Sequence, residues 1–269
     1  MGVLLSFGVA WAVFALGMLG AWVVERRTGN GGWVDVFWTL SLTTGTAAGV
    51  FAASRIGVPI ELGYAATTLV MLMLWGGRLG AHLFARSGSK QDDPRYQEMR
   101  AAWGDRVAVQ MLFNLQAQVI LSLPLVITLL AAAMVPGPFE VLKVIPGIAI
   151  AGLGLVIGWK ADRDLAIFKR SNKGLCSYGL WGWSRHPNYV GEIIFWAGIA
   201  ALSLGHGISG AFAAVGPVAI YILLRFVSGV PMLERHMSEK YGEAFATYCE
   251  TTPALFPWPL AHFSRTKSE

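Results

Sequence analysis

The densest run of chemically capable side chains in the sequence is WGWSRHPNYVGE, which holds Trp181, Trp183, Arg185, His186, Asn188, Tyr189 and Glu192. An arginine forks onto phosphate or carboxylate, and aromatic rings stack on planar heterocycles. Pro187 predicts a helix that opens here, because proline gives up nothing at a first helical position. Asn188 and Glu192 then stand at i and i+4, one above the other. Glu192 lies inside the apolar run GEIIFWAGIAALSL. A carboxylate there is costly unless it faces a partner or a polar cavity, which marks it as a functional residue.

Three further segments carry charge in patterned form. In ADRDLAIFKRSNK, Asp162 and Lys169 are two helical turns apart and share a face, with Lys173 just beyond. Lys160 fits simple snorkelling at a helix end, whereas Asp162 does not. The tail MLERHMSEKYGEAFATYC sets Glu234, Arg235, Lys240 and Tyr241 at helical spacing. An amphipathic interfacial helix accounts for that spacing equally well. HExxH is absent, and no metal site is expected. In GGRLGAHLFARSGSKQDDPRYQEMR, Arg78, His82 and Arg86 recur every four residues, and Pro94 predicts a new helix carrying Arg95 and Tyr96. Finally, Asp35 opens an apolar stretch in GGWVDVFWTLSL, with Trp38 one turn on. The helix dipole alone favours an acid at that position. Beside an apolar cavity, desolvation would also equip Asp35 to donate a proton or hydrogen bond to a carbonyl.

The elements that must position these residues follow from composition. The 269 residues are 55% hydrophobic and only 14% charged, against roughly 25% charged in soluble domains. That excludes a disordered chain, and two cysteines exclude a disulfide scaffold. A membrane crossing needs about 20 apolar residues. Seven segments qualify: 3–24, 33–54, 58–77, 109–134, 142–160, 189–206 and 209–229. The expectation is an all-α, seven-helix membrane protein, with 189–206 and 209–229 joined tightly through Gly205-His206-Gly207. Of the twenty-one lysines and arginines, all but Arg55 and Lys143 fall on one side of this arrangement. The positive-inside rule then places the N-terminus outside, and the C-terminal tail and both cysteines in the cytoplasm. Residues 1–134 would form a substrate cavity and 135–269 a cofactor-binding part.

The net charge of +5 is therefore topology first and anion binding second. The basic residues alternate with acids and match no nucleic-acid-binding pattern. No GxGxxG or GxxxxGK[ST] fingerprint occurs, so a dinucleotide would have to sit in a helical pocket.

The order DRDLAIFKR, GLWGWSRHPNYVGE, ERHMSEKYGEAFATYC resembles the C-terminal signature of the steroid 5-alpha-reductase family of integral membrane proteins. WVDVFW, WGGRLG and DDPRYQEMR extend the resemblance to its bacterial 5-alpha-reductase-like branch. RHPNYVGE is also similar to the sterol delta-14 and delta-7 reductases, and RHPNY with the late Glu…Tyr-Gly…Tyr to the isoprenylcysteine carboxyl methyltransferases. The resemblance implies NADPH as cofactor, held by Arg86, Arg95, Tyr96, Asp162, Lys169, Lys173, Trp181, Arg185, His186, Asn188, Tyr189, Glu192, Glu234, Arg235 and Tyr241. It implies reduction of the carbon-carbon double bond of a lipophilic enone, most simply a 3-oxo-delta-4 steroid, with Asp35, Trp38 and Glu192 at the reacting end. In the animal enzymes a glutamate of the second helix and a tyrosine of the third meet the substrate ketone. Here the second span offers Asp35, and the third offers Trp75 where the tyrosine would stand. The alternative is an S-adenosylmethionine-dependent methyltransferase of a membrane lipid or isoprenylcysteine. Expected partners are the bilayer, in a bacterial cytoplasmic membrane, and a steroid-like small molecule, not nucleic acid. A monomer suffices for this reading.

Overall fold

The computed structural model describes residues 1–88, 92–172 and 174–256. The chain is helical, with no strand among the described residues. The long elements are α1 (Gly2–Thr28), α2 (Gly32–Arg55), α3 (Leu62–Ser87) and, after the ten-residue α4 (Pro94–Trp103), the consecutive pair α5 (Val107–Leu121) and α6 (Leu123–Ala133). Then come α7 (Val141–Ser171), α8 (Pro187–Ala201), α9 (Ile208–Ala213), α10 (Val215–Ile222), α11 (Val230–Tyr241) and α12 (Glu243–Thr251).

The boundaries follow local chemistry. Gly29 adopts φ 64° and donates its N–H to the Glu25 carbonyl, closing α1. Asp93 caps α4 by accepting from the Arg95 N–H, with Pro94 at the first position. α8 begins at Pro187 as the sequence predicts. The link from α8 to α9 contains Gly205 and Gly207, both at positive φ. The third and fifth spans run on past their apolar parts, α3 to Ser87 and α7 to Ser171. A five-residue π turn, Leu223–Val227, separates α10 from α11.

Among the described residues, six helical stretches are long and apolar enough to cross a membrane: Gly2–Thr28, Gly32–Arg55, Leu62–Ser87, Arg95–Ala133, Val141–Ser171 and Ile208–Tyr241. Their outward surfaces carry Leu4, Phe51, Met73 and Val156, all more than half exposed. In water this would be an aggregation liability; in lipid it is the expected surface. The protein is an integral membrane protein. The sequence places a seventh span at 189–206. The helix there, α8, has fifteen residues and rises only about 22 Å, short of a hydrocarbon core of about 30 Å.

The chain divides into two compact units. Unit 1 comprises Met1–Gly152 with Trp196–Ala219; unit 2 comprises Leu153–Phe195 with the described residues from Ile220 on. The division falls inside α7 and α8. Within each unit α7 and α8 meet backbone to backbone. In unit 1, a Cβ on Gly198 would lie 2.2 Å from the Ala151 nitrogen; in unit 2, one on Gly154 would lie 2.4 Å from the Phe195 nitrogen. Small residues permit that approach, as is common where membrane helices associate.

Candidate functional site

Unit 1 gathers charge where α1 ends, α2 begins, α3 ends and α4 starts. Glu25, in the last turn of α1, is 2% exposed and accepts from Arg100 Nη1 at 2.5 Å. Arg100 also pairs with Asp92. Asp92 Oδ1 accepts the Gly31 N–H at 2.7 Å, satisfying a free donor next to the first turn of α2. The neighbouring set is centred on Asp35. Its Oδ2 accepts from Arg95 Nη2 at 2.5 Å and from Arg86 Nη2 at 3.1 Å. Its Oδ1 accepts from the Tyr96 hydroxyl at 3.5 Å. Both guanidinium groups also reach Asp93, Arg95 at 2.9 Å and Arg86 at 3.3 Å. Burial alone would raise the Asp93 carboxyl. The hydrogen bond and charge of Arg95, then the charge of Arg86, outweigh it and hold the group below the ordinary carboxylate range.

Gly31 makes this assembly possible. A Cβ there would lie 2.3 Å from the Tyr96 ring, so the ring seats directly on backbone. Deeper in unit 1 an edge-to-face ladder of rings runs Phe14, Trp38, Trp75, Trp196, with centroids 6.4, 6.1 and 5.4 Å apart. Trp38 Nε1 donates to Ser122 Oγ at 2.9 Å. Separately, Tyr64 is buried, and its hydroxyl lies 3.1 Å from His206 Nε2.

Unit 2 centres on Glu234 of α11. Oε1 accepts from Arg185 Nε at 2.8 Å and lies 3.1 Å from Nε2 of the buried His186. Arg185 Nη1 donates to the carbonyls of Thr252 (2.5 Å) and Cys249 (3.3 Å). The backbone closes the same join: Arg185 N donates to Pro253 O at 2.9 Å, and His186 N to Ala254 O at 3.2 Å. Tyr189 stacks on His186, centroids 5.3 Å apart and planes 12° apart. Asn188 Oδ1 accepts the Tyr189 N–H at 3.1 Å in the first turn of α8. Trp181 gives its indole N–H to Ala161 O at 3.0 Å and packs with Ala161 and Cys176 in a small core. The buried Tyr248 hydroxyl donates to the Trp181 carbonyl, and burial pushes that hydroxyl's pKa up. Cys176 and Cys249 are free thiols, both held protonated by burial.

The predicted residues therefore fall into two groups. Asp35, Arg86, Arg95 and Tyr96 meet in unit 1, with Trp38 one turn beyond Asp35. Asp35 does not stand alone beside an apolar space, because three side chains converge on it. In unit 2, Arg185, His186, Tyr189 and Glu234 meet, with Trp181 and Asn188 on the same connection. Asp162 and Glu192 are half-buried on α7 and α8; Lys169 and Arg235 are exposed. Tyr241 lies under Lys240 Nζ, 5.2 Å from its ring centroid. Lys173 lies outside the described residues. Sequence reasoning passed over Glu25, Asp92 and Arg100. Glu25 carried a signal, as an acid at the end of an apolar span directly before two arginines.

Residues 21–252 match the family described as "Protein of unknown function (DUF1295)", and the chain belongs to that family. It is also 30% identical over 170 residues to the chicken (Gallus gallus) Delta(14)-sterol reductase LBR, covering 56% of this chain. The chain spans about a quarter of that relative's length (24%). No solved structure matches.

Proposed function

We propose that the protein is a membrane reductase that reduces the carbon-carbon double bond of a lipophilic enone, such as a 3-oxo-delta-4 steroid, with NADPH as reductant. One observation carries the reading. RHPNYVGE and the tail ERHMSEKYG, the two segments that resemble the sterol and steroid reductases, are tied into one node by Arg185 and His186 on Glu234. The similarity to a Delta(14)-sterol reductase supports the same activity class.

The residues of unit 2 suit a dinucleotide. Lys169 and Arg235 are exposed cations for phosphates, with Lys173 in the same role by sequence. Tyr189, backed by the buried His186 ring, offers a flat aromatic face, and Asn188 and Glu192 share one face of α8 for the amide of a nicotinamide. Bound there, the cofactor would supply a hydride. Unit 1 is the substrate half in this reading, with Asp35 marking its polar end and the Trp38–Trp75–Trp196 ladder its apolar wall. The reading keeps the positive-inside orientation in a cytoplasmic membrane, with the whole run 189–206, of which α8 is the regular helical part, as one of seven crossings. The chain acts as a monomer on a lipid-dissolved substrate.

The test is thermal stabilisation of the detergent-purified protein. NADPH raises the melting temperature and S-adenosylmethionine does not; the reverse result replaces this reading with the methyltransferase one. Glu192→Gln abolishes turnover while the protein still inserts and folds.

A further inference from the structure

We propose that the seam between α1 and α5 binds an anionic phospholipid, with Arg26, Arg27 and Arg106 on its phosphate and the exposed apolar rows of the two helices along its acyl chains. The site lies wholly in unit 1 and stands whatever reaction the protein carries out. One contact fixes its place. The Trp22 indole N–H on α1 donates to the Ala108 carbonyl, in the first turn of α5, at 2.8 Å. The Arg26 guanidinium, one turn on, lies over the same indole, 5.1 Å from its ring centroid. Arg27 follows it, and Arg106 stands two residues before Ala108. Two residues of chain reach at most about 7 Å, so three arginine side chains start within a short reach of one ring.

These arginines differ from others in unit 1. Arg86, Arg95 and Arg100 end on carboxylates. Among the described residues, no ion pair takes up Arg26, Arg27 or Arg106, and all three are exposed. Glu25, the acid next to Arg26, is buried and already accepts from Arg100. Three arginines against the exposed Asp105 leave this group a net charge of +2. Such an excess complements a phosphate group. The positive-inside rule sets this end of α1 at the cytoplasmic surface, where anionic lipids concentrate.

The apolar part starts from the same points. On α1, Leu16, Leu19 and Val23 follow one face and lead up to Arg26 at the i+10 position. On α5, Val109 and Phe113 follow Arg106 at i+3 and i+7. All five apolar side chains are exposed. Because α1 ends where α5 begins, both rows lead away from the arginines into the hydrocarbon. Trp22 stands at the junction, the depth at which tryptophan collects in membrane proteins. A charged head above two apolar rows is the outline of a phospholipid; a soluble phosphate would use the arginines and leave the rows idle.

The experiment takes the full chain in detergent and measures lipid binding by native mass spectrometry, with phosphatidylglycerol and phosphatidylcholine of identical acyl chains. Wild type binds the anionic lipid about tenfold tighter, the order that one or two cations near a lipid surface supply. Joint Arg26→Gln, Arg27→Gln and Arg106→Gln substitution abolishes the preference. Arg106→Gln alone reduces it at unchanged melting temperature, and so tests the site even where the triple variant folds poorly. Arg163→Gln is the control, because Arg163 lies over Trp159 at the same 5.1 Å but in unit 2, outside the site; it keeps the preference. A triple or Arg106→Gln variant with the full preference overturns the site, and so does a wild type with none. Equal loss in the Arg163 variant overturns it in favour of diffuse surface charge. Soluble glycerophosphate at the lipid's concentration leaves the lipid bound; displacement would mark a site for free phosphate and overturn the lipid assignment.

Discussion

The two charged clusters solve different problems with similar side chains. In unit 1, four carboxylates (Glu25, Asp35, Asp92, Asp93) and three arginines (Arg86, Arg95, Arg100) satisfy each other across the ends of four helices. In unit 2 a single carboxylate, Glu234, takes one arginine and one histidine, and the arginine's remaining donors go to backbone carbonyls. Side chains close the first cluster, and the main chain largely closes the second. The difference teaches where function can be touched without unfolding. A cluster of mutually paired, partly buried charges is disturbed as a unit when one member is removed. A node backed by main-chain hydrogen bonds keeps its shape and loses only the atoms deleted.

The largest effect should come from Arg100→Met. It leaves Glu25 buried without its cation, and breaking such a pair costs about 3–5 kcal/mol. Melting in detergent should fall by many degrees, and adding Glu25→Gln should restore part of the loss. Gly31→Ala comes next. The new methyl group meets the Tyr96 ring, which has to shift, at about 1–3 kcal/mol. Arg185→Gln is smaller in stability, since the backbone bonds to Pro253 and Ala254 remain. It should weaken NADPH binding more than it lowers the melting temperature; the opposite ranking would erase the contrast between the clusters.

Asp93 supplies the pH-dependent test of the comparison. Its native carboxyl lies below the ordinary value of 3.8, so its contribution to stability is fully present above that pH. It is lost only as pH falls through the lower native value. Asp93→Asn should therefore flatten the acid limb of the stability profile, measured by melting temperature from neutral pH downwards. A limb of unchanged steepness would assign acid sensitivity to other carboxylates.

Much of the fold was legible because the bilayer imposes a coarse rule. Apolar length predicted the long helices, and Pro94 and Pro187 marked where two helices start. What length could not show was where regular helix stops inside an apolar run. The run 189–206 reads as a span, but helix ends at Ala201, ahead of two glycines at positive φ. Site residues were legible by type and not by partner. Arg185, His186 and Glu234 were each suspect, yet nothing in spacing says that residues 48 and 49 positions apart share one oxygen. Tyr96 was read as a cofactor contact through the resemblance alone. Only the packing of its ring on Gly31 sets its hydroxyl at Asp35.

The backbone join between 184–186 and 252–254 also has a consequence for biosynthesis. The Ser184 hydroxyl and the N–H groups of Arg185 and His186 all find their acceptors on Pro253 and Ala254. During translation those carbonyls emerge roughly 70 residues after their donors, at about 5–20 residues per second. For several seconds the Arg185–His186 corner is without the segment that fixes it. Fusions placed soon after Ala254 should therefore slow maturation of the protein more than fusions at its amino end.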